Sequence, residues 1–179
     1  ADNVALGCGA LKLNTTGAQN TAVGLDALRD TTTGCRNTAM GYNSLVLNTT
    51  GICNVSIGRS TLDANTTGDF NTAVGNSALS GNTTADNNTA IGHLSLNANT
   101  TGGQNVAVGA VAGDAITTGS NNVALGYEAA GKLTTGGDNV AVGRAALLDT
   151  TTQSGNVAIG VESLENNTAD ENVAVGKSA

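Results

Sequence analysis

The run Asn20-Thr21-Ala22-Val23-Gly24 returns 17 residues later as Asn37-Thr38-Ala39-Met40-Gly41, and again as Asn54-Val55-Ser56-Ile57-Gly58. Copies of this pentapeptide begin at Asn3, Asn20, Asn37, Asn54, Asn71, Asn88, Asn105, Asn122, Asn139, Asn156 and Asn172. The first nine intervals are 17 residues and the last is 16. Self-similarity at one short period marks a repeat architecture. Residues 1–179 therefore read as a single array, ten repeats and the start of an eleventh, with no linker and no shift in composition.

With the Asn as position 1, position 3 is Ala in every copy except Ser56, position 4 is always apolar, and position 5 is always Gly. Position 8 is Ala, Ser or Thr, and position 9 is usually Leu. Position 13 is Thr in all ten complete repeats, from Thr15 to Thr168, and position 14 is Thr in nine. A period of 17 is too short for a helical hairpin. The alternation at positions 2 to 4 suits a strand with one buried face. The Gly at position 5 suits a bend that needs positive φ. The spacing predicts an all-β fold, a parallel β-solenoid (β-roll) of about ten 17-residue coils, with a second short strand around positions 8 and 9. A two-turn helix at positions 8 to 11 is the alternative, and the dense Asn, Thr and Gly around it oppose it.

Stacked coils place each residue over its equivalent, about 4.8 Å along the axis, so ten repeats make a rod of roughly 48 Å. Position 1 then forms an Asn ladder, including Asn20, Asn37, Asn71 and Asn88, whose amides can both donate and accept. Position 4 is expected to form a buried aliphatic ladder, including Val23, Ile57, Val74 and Ile91. The Ala strip at position 3 suits either tight packing within the coil or a contact between chains. Between Asn156 and Asn172 one residue is missing, and a slip inside a strand would turn its faces over. The loop is therefore expected to absorb the deletion. Ile159 and Val175 should stay in one buried ladder, with the Thr file broken after Thr168.

Aromatics are 2% of the chain and Pro is absent, so no bulky aromatic core is available. The net charge of −7 and the lack of a basic cluster argue against nucleic-acid binding and against docking on anionic membranes. No apolar run is long enough for a transmembrane helix, so membrane insertion is not expected. The first residue is Ala1, and no cap is visible at either end, so the array is expected to continue, covalently or by stacking on another subunit.

Chemical constellations are sparse. His93, the one histidine, sits at the variable position 6. Gly176-Lys177-Ser178 resembles the end of a phosphate-binding loop, but Glu171 stands where that motif needs Gly. The carboxylates scatter over the repeat positions, as solvated surface charge does. No catalytic, metal or cofactor-binding residue is expected. Cys35 and Cys53, at positions 16 and 17 of successive coils, are within span of a disulfide, while Cys8 has no such partner. Eight Asn residues, Asn48 and Asn65 among them, begin glycosylation sequons that turn chemistry explains equally well.

The runs Asn-Val-Ala-Leu-Gly, Asn-Thr-Ala-Val-Gly and Asn-Val-Ala-Ile-Gly, each followed three residues later by Ala or Ser, resemble the head repeats of trimeric autotransporter adhesins and related repeats of phage tail fibres. The resemblance spans the whole chain, although the adhesin period is nearer 14 residues than 17. It implies a left-handed roll that associates as a homotrimer. It also implies an extracellular location, on a cell surface or virion.

The expected function is a structural or adhesive fibre segment, associating as a homotrimer or a head-to-tail homopolymer. Any cell-surface glycan or receptor is expected to bind through another domain, because Tyr42, Phe70 and Tyr127 lie in separate coils. The alternative is an ice-binding solenoid that uses the Thr ladder. Its weakness is that adjacent Thr residues in a strand face opposite ways, which leaves one exposed file.

Overall fold

The computed structural model describes residues 2–179, so Ala1, the first residue of the expected array, lies outside them. The described chain is an all-β parallel solenoid. Eleven three-residue strands, from Val4–Leu6 to Val173–Val175, occupy positions 2 to 4 of successive repeats. They form one sheet in chain order, every neighbour parallel and in register, as in Thr21 over Thr38, Ala22 over Ala39 and Val23 over Met40.

Each coil has one strand. Positions 8 and 9 form no second strand and no helix; they lie in three overlapping turns. In the coil that begins at Asn20, the Ala27 N–H donates to the Gly24 carbonyl, Arg29 to Asp26, and Thr31 to Leu28. Positions 7 and 9 take left-handed backbone, with φ of 55° at Asp26 and 49° at Leu28. That conformation costs an L-residue about 1–2 kcal/mol. Here it turns successive amides along the rod axis. The Asp26 N–H reaches the Cys8 carbonyl of the preceding coil at 2.9 Å, and the Leu28 N–H reaches the Ser44 carbonyl of the next at 3.1 Å. Coils are thus bonded to their neighbours around the turns as well as along the sheet. The expected second strand at positions 8 and 9 is replaced by these turns, whose left-handed residues direct their amides to the neighbouring coils.

The glycine at position 5 is required twice over. Gly92 has φ of +136°, and a Cβ there would meet the Gly109 carbonyl oxygen of the next coil at 2.4 Å. Position 15 is close-packed in the same way, with Gly34 against the Gly51 carbonyl at 2.5 Å.

The interior is narrow. Ala at position 3, the small residue at position 8 and Leu at position 9 fill it, all essentially inaccessible from Ala22 through Ala158. This corrects the expected burial of position 4. The strand does alternate, but the lumen admits only the methyl of Ala, so the small residue faces in and the larger ones face out. The Ala strip is accordingly core and not a contact surface. Ser56, the exception, is held in a buried hydroxyl cluster: Ser44 Oγ donates to Ser56 Oγ at 2.7 Å, and Ser56 Oγ donates to Thr61 Oγ1 at 2.8 Å.

The shortened repeat keeps its register, with Ala158 over Ala174 and Ile159 over Val175. The residue it lacks is the position 15 glycine. Asp170 fills position 16, where its carboxylate accepts the Ser154 N–H at 2.8 Å. Asn156 loses its usual bond to a position 15 carbonyl and donates to Ser154 O at 3.3 Å instead. Val175 is 69% exposed, so the ladder it shares with Ile159 is not buried. The Thr file ends one coil earlier than expected. Thr134 Oγ1 donates to the Thr151 carbonyl at 2.9 Å, whereas the Thr151 N–H turns to Gln153 Oε1.

Candidate functional site

The outer face of the sheet is built from positions 2 and 4 of every repeat. Because position 3 points into the lumen, its neighbours point out. Position 4 presents Met40, Ile57, Ile91, Val108 and Ile159 at 38–42% exposure, with Val23, Val74, Leu125 and Val142 half-buried between them. Position 2 adds Val or Thr in all eleven copies. No charged residue interrupts either file. The result is an uncharged strip two residues wide that runs along the sheet from coil to coil. Val23, Ile57, Val74 and Ile91 all belong to it, stacked in one ladder that faces outward.

The Asn ladder lies inside. Asn20, Asn37, Asn71 and Asn88 are fully buried. Each amide oxygen accepts the backbone N–H of the Asn one coil on, as Asn71 Oδ1 does from Asn88 at 2.9 Å. Each amide nitrogen donates to the position 15 carbonyl of its own coil, as Asn37 does to Gly51 at 2.8 Å. One side chain thus ties a coil shut and fastens it to the next. Direct amide-to-amide bonds occur in a subset, such as Asn54 to Asn37 at 3.2 Å.

A second buried Asn file runs at position 12, where the sequence offers both sequons and turn residues. Asn65 donates to Asn48 Oδ1 at 2.9 Å and Asn82 donates to Asn65 Oδ1 at 2.8 Å. Where the file meets Ile116, the buried Asn99 Oδ1 is left without a partner. The available signal was the exchange of volume between positions 9 and 12: Leu with Asn or Thr in most coils, Gly113 with Ile116, Ala130 with Leu133. Burial also closes the sequons at Asn48, Asn54, Asn65, Asn82 and Asn99.

The position 13 hydroxyls are bound to main chain, from Thr15 to the Thr32 carbonyl at 2.9 Å through Thr134 to Thr151. Position 14 holds the exposed Thr file, from Thr16 to Thr152. Cys35 and Cys53 are joined through main chain, the Cys53 N–H donating to the Cys35 carbonyl at 3.0 Å, but both thiols are free. Cys35 Sγ donates to the Thr33 carbonyl at 3.2 Å and accepts the Ala18 N–H. The expected disulfide between Cys35 and Cys53 is not formed in this structure. Cys8 is exposed.

Charges lie on the turns. The Arg29 guanidinium beside Asp30 holds that carboxyl below its usual range, and Arg144 does the same for Glu162. Burial pushes the carboxyls of Asp63 and Asp114 up. His93 is exposed. Among the described residues, no three His, Cys, Asp or Glu side chains gather to hold a metal ion. Lys177 follows the last strand at the ordinary position 6, after a Gly176 whose φ matches the other position 5 glycines. Among the described residues, no helix is long and apolar enough to cross a membrane. No family model, curated protein or solved structure matches this chain.

Proposed function

We propose that this chain is a structural segment of an extracellular fibre, on a cell surface or a virion, in which three copies pack side by side through the outer face of the sheet. The observation that carries this reading is the uninterrupted aliphatic file at position 4, flanked by the uncharged Val and Thr file at position 2. Monomeric proteins rarely leave an apolar strip of that length in water. Its in-register stacking, one coil directly on the next, lets an identical strip on another copy match it coil for coil. Burying a half-exposed Ile or Val contributes about 1 kcal/mol, and the strip offers one such residue per coil. The resemblance of the pentapeptide to adhesin and tail-fibre repeats supplies the number three and the left-handed sense. Receptor recognition is assigned to another part of such a fibre, with this segment acting as a spacer.

Sedimentation equilibrium at micromolar concentration tests the reading. The expected species is a trimer, which Ile57→Lys combined with Ile91→Lys converts to a monomer with unchanged far-ultraviolet dichroism. A wild-type chain that sediments as a compact monomer would overturn it.

A further inference from the structure

Position 10 carries a side chain in every repeat except one, where Gly131 stands between Asp114 and Leu148 of the adjoining coils. Backbone conformation does not demand this glycine. Its φ is not positive, and the nearest atoms to a Cβ there would be the flexible Leu148 Cδ1 at 3.0 Å and the Glu128 carbonyl at 3.2 Å. The gap is a notch of about 220 Å³. Val111 and Leu148 give it apolar walls, Tyr127 gives it an aromatic ring, and Asp114 and Glu128 give it carboxylates. Lys132 also lines it, but its ammonium is ion-paired with Asp149. Asp114 and Glu128 make no ion pair among the described residues.

The rod itself shows what such a ring accepts. Tyr42, also at position 6, has the Arg59 guanidinium of the next coil 5.9 Å from its ring centroid. Tyr127 is followed at the same place by Arg144, but that guanidinium is drawn off to Glu162. Tyr127 is 52% exposed, with no guanidinium over its ring, beside two carboxylates that make no ion pair among the described residues. We propose that the notch binds an arginine side chain of a partner polypeptide. The guanidinium lies over Tyr127 and hydrogen-bonds Asp114 and Glu128, and its methylenes run along Val111 and Leu148. This site is independent of the sheet face and of the number of copies that pack there.

The test is an NMR titration of the full-length chain with N-acetyl-arginine methylamide, and in parallel with methyl glucoside as a neutral ligand. The expected result is saturable shifts confined to the amides of Tyr127, Glu128, Gly131 and Lys132, with a Kd of ~1–10 mM, as suits one side chain. Gly131→Leu, which fills the notch, abolishes the shifts. Glu128→Gln and Tyr127→Leu each weaken binding by about fivefold. Asp63→Asn, at position 10 of a coil without the notch, leaves it unchanged, and each variant's unfolding midpoint checks its fold. Shifts spread evenly over all acidic turns would overturn the proposal. So would binding that survives Gly131→Leu, or a response to methyl glucoside in place of the arginine derivative.

Discussion

Gly113 and Ile116 divide between them a volume that Leu and Asn fill elsewhere. A Cβ on Gly113 would stand 3.0 Å from Ile116 Cδ1 and 3.2 Å from Leu96 Cδ2. Its φ of 57° is the left-handed value that Leu adopts at position 9 in other coils, so backbone conformation permits a side chain there and packing alone forbids it. Gly113→Leu should therefore destabilise the protein by about 1–3 kcal/mol through overpacking. Adding Ile116→Asn restores the common pairing, gives Asn99 Oδ1 a donor, and should recover most of the loss in urea unfolding. A single variant as stable as wild type would show that the two positions are not coupled.

Asn71→Ala removes two bonds from a fully buried site. The Asn88 N–H loses its acceptor, and the Ala85 carbonyl loses the donor now at 2.8 Å. The Ala85 carbonyl keeps the Asn82 amide at 3.1 Å, so only the Asn88 N–H is orphaned, and a loss of about 1–3 kcal/mol is expected. Hydrogen exchange should show the faster-exchanging amides clustered in the two coils that meet at Asn71. Uniform loss of protection along the rod would contradict coil-by-coil fastening.

Glycines should sort by what stands opposite them. Gly92→Ala places a methyl against the Gly109 backbone on a positive-φ residue and should cost several kcal/mol. Gly103→Ala meets only the Asp86 carbonyl at 3.2 Å, with no positive φ, and should be neutral or slightly stabilising. Paired thermal melts decide this, and equal losses would refute the carbonyl clash as the cause.

Asp63 and Asp30 should titrate with opposite sense. Burial raises the folded-state pKa of Asp63, so its contribution to stability is intact below the unfolded-state value and is lost as pH rises through the folded one. Asp63→Asn should therefore melt higher than wild type at roughly pH 7 and match it near pH 3, where the carboxyl is neutral in both states. Arg29 lowers the Asp30 pKa, so that pair contributes above the unfolded-state value and fades as pH falls through the folded one. The pair is half-buried at the surface and its effect is small. A melting difference for Asp63→Asn that is independent of pH would refute the burial argument.

Much of this fold was legible because a 17-residue repeat tests every inference eleven times. The pentapeptide located every strand, from Val4–Leu6 to Val173–Val175, and Gly24 and its equivalents marked the bend. Ile57 was misplaced because alternation shows that a strand has two faces without saying which one is covered. In a wide core the large residue goes in. Here Ala39, Ser44 and Leu45 already fill the lumen, and Ile57 goes out. Leu28 hid its left-handed backbone because that conformation is usually the province of Gly and Asn. Asn65 was read as a turn residue because its file is visible only beside the size changes at Gly113 and Ile116. The Tyr127 notch depends on Arg144 being pulled to Glu162, a choice between neighbours that side-chain positions reveal and composition does not.

The bonds that join coils run along the axis of the rod, and this fixes how it fails under load. Tension between the two ends pulls each inter-coil bond along its own length, but the covalent chain leaves every coil at one corner. Force is therefore focused on that corner, and the terminal coil peels away bond by bond. Each released coil lengthens the tether by about 55 Å, the extended reach of 17 residues less one coil spacing. A single rod drawn out this way is a shock absorber that yields in equal steps. Three rods fused along their apolar strips could not peel independently and would carry load as one stiff spar.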